Sequence, residues 1–201
     1  MPERAEEIFA RAVAAADAEG RLATPPVRDW ETFPFDGEIR VRPLVPPVAR
    51  ERPRNGARGV DCWRCEHGLE GAVWSDEHWL VTPLERPSGL PVVVILFPRA
   101  HHDLDDLPDD LARELGPMLL RVEAAVRAVG EVGRVHVCRW GDGSAHLHWW
   151  LMARPARFPQ LVGSFAAIWD DILPPTPEPV WRENLAAVAH ALAAGGGTAH
   201  T

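Results

Sequence analysis

The sequence has no lysine and no tyrosine, and all 21 of its basic residues are arginine. Missing lysine alongside abundant arginine, alanine and proline is what a GC-rich genome produces. Arginine as such therefore carries no weight, and only arginines beside a motif do. Cysteine is scarce: there are three, two of them in Cys62-Trp63-Arg64-Cys65. That excludes a disulfide framework and reads as a cytosolic metal or redox pair. No apolar run reaches the roughly 18 residues that a membrane-spanning helix needs. The longest, Leu90 to Phe97, has strand length and contains Pro91. The acidic N-terminus, Met1–Phe9, is unlike a secretory signal, so a cytoplasmic location is expected. A net charge of −8 argues against duplex nucleic acid as a partner, though a local arginine cluster can still hold one nucleotide.

What is present fits a globular chain: 201 residues, 46% apolar and 25% charged, enough for one domain with extra arms. The expected organisation is an N-terminal helix with a Pro/Arg-rich arm over residues 1–59, a central domain over 60–155, and a loop, helix and tail over 156–201. In the first part, Ile8, Phe9, Ala12, Val13 and Ala16 form an apolar stripe over 3–19 that ends at Gly20. A short strand is predicted at Glu38–Arg42 and a flexible loop at Glu51–Gly59.

The central part alternates as strands at Gly71–Ser75, His78–Pro83 and Leu90–Phe97, with a hairpin signal at Ser75-Asp76-Glu77. A helix follows over 108–129. Pro108, Asp109 and Asp110 suit its start, and Leu111, Leu115, Met118, Leu119, Val122, Val126 and Val129 form its buried stripe. Gly116-Pro117 is expected to interrupt or kink it. Strands at Arg134–Arg139 and Ala145–Ala153 flank the turn Gly141-Asp142-Gly143-Ser144. A short helical piece at Gly163–Ile172, a helix at Pro179–Ala194 and a disordered tail at Gly195–Thr201 complete the chain. The fold class is thus α+β, an antiparallel sheet of about five strands with a long helix packed on it and helical extensions at both ends.

The chemistry concentrates in Ser144-Ala145-His146-Leu147-His148-Trp149-Trp150. On a strand, His146, His148 and Trp150 share one face. Two adjacent imidazoles suit metal binding or nucleophilic attack. With Cys62, Cys65 and His101-His102 they can supply a Cys2His2 metal site and leave one histidine for chemistry. Each feature also has a plainer reading. The cysteines can be buried thiols, His101 and His102 a solvated loop, and His136 and Cys138 sheet-surface residues. The nine tryptophans, Trp149 included, can be packing, and Asp170-Asp171 a helix end. His67 is an alternative ligand.

The order strand, strand, long helix, strand, turn, His strand, together with these motifs, resembles the histidine-triad superfamily. The likeness is to the branch holding galactose-1-phosphate uridylyltransferase and the diadenosine tetraphosphate phosphorylases, and it covers residues 60–155. The resemblance implies a structural zinc held by Cys62, Cys65, His101 and His146. The Pro98-Arg99-Ala100-His101 pattern favours His101 over His102. It implies His148 as a nucleophile toward the α-phosphate of a nucleotide, with Ser144 beside it. Gly141, Gly143, Trp150 and Arg154 would contact substrate. A second register makes His146 the nucleophile and replaces the first zinc-ligating His with Ser144. Trp150 departs from the Gln or His that the family carries and offers a single N–H with much bulk. The implied activity is nucleotidyl hydrolysis or transfer through a phosphohistidine. The alternatives are a zinc-stabilised nucleotide or ligand binder without turnover, and a metalloenzyme with a catalytic metal. The implied partner is a nucleotide or nucleotide-sugar-like small molecule, and the family's habit implies a homodimer.

Overall fold

Alternation along the central strands builds a sheet with two unlike faces. A computed structural model describes residues 46–200 throughout and, ahead of them, residues 10, 13–21, 23, 33, 35, 37–40 and 43. By contacts, residues 1–52 and 53–201 form separate units.

The second unit opens with a short helix, α1 (Trp63–His67), and strands β1 (Trp74–Ser75), β2 (Trp79–Pro83) and β3 (Val93–Pro98). Helix α2 (Asp109–Arg127) leads to β4 (Val132–Cys138) and β5 (Trp149–Pro155). Then come α3 (Ala166–Ile172), α4 (Glu178–Ala193) and a terminal strand β6 (Thr198–Ala199). The sheet order is β4-β5-β3-β2-β1-β6, with every neighbour antiparallel. Strands β2, β3 and β5 each end on a proline, which has no N–H to continue a ladder.

Val94, Leu96, Leu151 and Ala153 face the main core with Trp74, Trp79 and Val81. Helix α2 covers that face with Leu111, Met118, Val122, Ala125 and Val126, and α4 adds Trp181, Leu185, Val188 and Leu192. This is the predicted stripe at helical period, with Leu115, Leu119 and Val129 partly buried beside it. The helix runs on through Pro117 rather than breaking there. The opposite face carries a smaller cluster of Leu90, Val93 and Met152 with Trp150 against it, and this is the face that holds the site.

Several expectations are corrected. The tail is ordered: β6 pairs with β1 through Trp74↔Ala199 and Ser75↔Thr198, making a sixth strand. Trp74 Nε1 donates to the Gly196 carbonyl at 3.0 Å, and the His200 N–H donates to the Val73 carbonyl at 2.8 Å. Gly197 lies on the Trp74 indole at φ +76°, where a Cβ would come within 2.6 Å of the ring. No larger residue fits there. The His strand starts at Trp149, not Ala145, so His146 and His148 precede the ladder.

In the first unit, Ala10, Val13 and Ala14 are helical, but Ala15–Gly20 is not. There the Asp17 carboxylate accepts the N–H groups of Glu19 (3.0 Å) and Arg21 (2.8 Å), which turns the chain. Ile8, Phe9 and Ala12 lie outside the described residues, as do Val41 and Arg42 of the predicted strand. Its residues 38–40 have no regular structure.

Candidate functional site

Cys62 and Cys65 bracket the start of α1, whose single turn brings both sulfurs to one side. The loops after β3 and before β5 bring His101 and His146 to meet them. His146 Nδ1 lies 3.4 Å from Cys62 Sγ and 3.5 Å from Cys65 Sγ, and His101 Nδ1 lies 3.4 Å from Cys65 Sγ. The four ligand atoms all lie within 4.8 Å of one another. Bond lengths of about 2.3 Å to sulfur and 2.05 Å to nitrogen give a tetrahedral S···N edge of roughly 3.6 Å. The donor set and spacing therefore fit zinc in a closed Cys2His2 site. Among the described residues, this is the group that could hold a metal.

Electrostatics agrees with that use. Burial first, and the adjacent Cys62 thiol second, push the Cys65 thiol up to about 11. The Cys65 thiol thus resists ionisation until a divalent cation compensates it. Burial also lowers the His146 pKa and keeps the ring neutral. Its Nε2–H donates to the Pro98 carbonyl at 2.8 Å, which leaves the lone pair on Nδ1, toward the sulfurs.

His148 is placed differently. Its Nδ1–H donates to the His146 carbonyl at 2.8 Å, which leaves Nε2 as the ring nitrogen that this bond does not engage. Phe97 packs between the two imidazoles, 5.9 Å from His146 and 6.1 Å from His148, ring to ring. His148 lines a cleft of about 420 Å³ with Asn55, Asp61, Trp63, Arg64, Ser144 and Trp150, floored by Ile95 and Phe97. Ser144 Oγ accepts the His146 N–H at 3.2 Å, leaving its own O–H to donate. Trp150 rests on Trp140 edge to face, 5.9 Å away, and its Nε1–H is enclosed without a hydrogen-bond partner.

Other predicted residues fall elsewhere. Gly141 and Gly143 do not line the cleft. Their carbonyls accept from Arg54 (3.0 Å) and from the Asn55 N–H (2.9 Å), so the turn is clamped from outside. Arg154 lies toward the far end of β5, its guanidinium over Gly133 and donating to the Pro155 carbonyl at 3.0 Å. His102 pairs with Asp106 at 3.7 Å, and His67 stacks on Trp63; neither joins the metal group. His136 and Cys138 oppose Met152 and Trp150 on β5, away from the metal group. Asp170 is a buried latch rather than half of a dyad, accepting the Leu90 N–H at 2.8 Å.

Two cleft-lining residues were not singled out in the sequence. Arg64 is 5% exposed, sits over the Trp63 and Phe97 rings, and brings a buried cation to the cleft. Its position inside Cys-x-x-Cys was the available signal. Asn55, in a stretch expected to be a flexible loop, gave none.

No family model matches the chain, and no curated protein does. Solved structures do. A Zn-bound histidine triad family protein from Mycobacterium smegmatis is 22% identical, with a TM-score of 0.43 over 61% of this chain and 88% of that one. A hypothetical histidine triad nucleotide-binding protein from Sulfolobus tokodaii is 15% identical, with a TM-score of 0.47 over 65% and 89%. A uridylyltransferase is 19% identical, with a TM-score of 0.46; 68% of this chain matches, spanning 46% of that protein's length.

Proposed function

We propose that the chain is a nucleotidyl hydrolase or transferase that works through a phosphohistidine on His148. The observation that carries the reading is the different employment of the two imidazoles. His146 spends Nε2 on the Pro98 carbonyl and turns Nδ1 to the sulfurs. His148 spends Nδ1 on a backbone carbonyl and keeps Nε2 as a base in a cleft beside Ser144. That division supports the register in which His148 attacks. Cys62, Cys65, His101 and His146 would hold a structural zinc that pins α1 to the sheet.

In the reaction, the Nε2 lone pair forms a bond to the α-phosphorus, and the bond to the leaving phosphate oxygen breaks, its electron pair going with that group. Water or an acceptor hydroxyl then attacks phosphorus. The N–P electron pair returns to Nε2, and the attacking oxygen loses its proton to solvent. The Ser144 hydroxyl and the Arg64 charge, both lining the cleft, would favour the phosphoryl oxygens.

The test is intact-mass analysis after incubation with a panel of nucleoside triphosphates, dinucleoside polyphosphates and nucleotide sugars. Wild type should gain one acid-labile nucleotidyl group. His148→Ala should fold, keep zinc and bind nucleotide, yet gain nothing. A binding protein without turnover is the second reading, and the Trp150 indole in the cleft favours it. Binding with no adduct and no turnover across the panel would select it.

A further inference from the structure

We infer that Asn55, contributed by the segment ahead of the Cys-x-x-Cys turn, is a ligand-contacting residue whose side-chain amide addresses the phosphate held before His148. The inference rests on the proposed function, since it specifies how that same cleft grips its ligand.

Asn55 has both backbone groups committed. Its N–H donates to the Gly143 carbonyl and its carbonyl accepts the Ala145 N–H, each at 2.9 Å, in an isolated parallel bridge with Ser144. The residues on either side are fixed independently. The Arg54 guanidinium pairs with Asp103 and donates to the Gly141 carbonyl at 3.0 Å. Asp103 also takes Arg139 at 2.7 Å, so one carboxylate ties the segment to the loops carrying His101 and Gly141. Gly56 is buried at φ +74°, and a Cβ there would lie 3.0 Å from the Cys62 Cβ, so the chain is threaded against the metal turn. Three anchors thus hold one exposed residue still.

What they leave free is the amide, and Asn55 lines the cleft with Ser144 and His148. An amide offers two donors and an acceptor without charge. Phosphoryl transfer needs donors around the equatorial oxygens. Trp150 lines the same cleft with only an enclosed N–H, and the Asn55 amide adds donors there to the Ser144 hydroxyl and the Arg64 guanidinium.

Calorimetric titration with a panel of nucleoside monophosphates tests this on wild type, Asn55→Ala and Asn55→Asp. Because the anchors are backbone groups and neighbours, both variants should keep the wild-type zinc content and melting temperature. Asn55→Ala should weaken monophosphate binding about tenfold, the size of one hydrogen bond to a charged group. Asn55→Asp should weaken it further, because its carboxylate repels the phosphate. A purely structural role would not order the variants by charge. Variants that bind like wild type, or an Asp variant that binds as well as the Ala variant, would overturn the inference and leave the proposed function standing. Wild type that binds no monophosphate would overturn both.

Discussion

His146 donates its Nε2–H to the carbonyl of Pro98 at 2.8 Å, and this bond decides which nitrogen faces the Cys62 and Cys65 sulfurs. Pro98 closes β3, where the ladder can use no N–H from it, and its carbonyl is free to turn toward the loop. The buried ring stays neutral, held as a lone-pair donor at Nδ1. The same loop then presents His148 two residues later with its opposite nitrogen free.

Removing the thiols should show what this arrangement holds. Cys62→Ser/Cys65→Ser should reduce zinc from about one per chain to background. It should lower the melting temperature by about 10 °C or more, because metal binding free energy is folding free energy here. Elemental analysis and thermal melts read both. Full zinc retention in the double variant would refute the ligand assignment.

Trp150 separates packing from ligand contact. Trp150→Phe keeps most of the ring against Trp140 and removes an N–H that is enclosed without a partner. Stability should hold or rise slightly, since an unmet buried donor costs about 1–3 kcal/mol. Adduct formation should stay within a factor of about two if the indole only packs. A tenfold loss would make its N–H a substrate contact.

The tail should matter for stability. Deleting residues 195–201 removes β6, uncovers Trp74 and opens the β1 edge. Gly197→Ala should act in the same direction with one methyl, because the residue sits at φ +76° with the indole 2.6 Å from any Cβ. Such strain typically costs about 1–3 kcal/mol, or several degrees in a chain of this length. A melting temperature unchanged in both variants would contradict the ordered tail.

The His78–Glu114 pair gives a pH signature. Their side chains meet at 3.0 Å, and Glu114 also accepts from Trp79 Nε1 at 3.0 Å. The Glu114 hydrogen bond raises the His78 pKa above its ordinary 6.5. Hydrogen bonds from Trp79 and then His78 lower Glu114 below its ordinary 4.5. The histidine contribution is complete below pH 6.5 and fades as pH rises through its folded value. The carboxylate contribution is complete above pH 4.5 and fades as pH falls through its folded value. Melts of wild type against Glu114→Gln should therefore differ most between about pH 4.5 and 6.5, with a gap that narrows toward pH 9. The gap should be small, because the pair is only partly buried and solvent screens it. A gap that widened between about pH 6.5 and 9 would exclude the pair as its cause.

Periodicity alone determined much of the architecture. Leu111, Met118, Val122 and Val126 recur at helical spacing, and Val94, Leu96, Leu151 and Ala153 alternate at strand spacing, so each buried face was written locally. The residue types able to bind a metal or attack phosphorus were equally visible, because Cys, His and Ser carry that chemistry wherever they stand. Distances between them were not. The His strand reads as starting at Ala145, yet Leu147 gives its N–H to the His102 carbonyl at 2.6 Å and His146 gives its ring to Pro98, and these distant partners draw both residues out of the ladder. Arg154 follows the motif closely in sequence, but β5 carries it away from the cleft along the strand axis. The glycine-rich tail has no apolar period, and it becomes a strand only by pairing with β1, where the Trp74 indole leaves room for no side chain at Gly197. Asn55 belongs to the cleft because Gly143 and Ala145 lie beside it in space. Contacts between residues far apart in the chain depend on how the elements pack, and only the tertiary structure decided them.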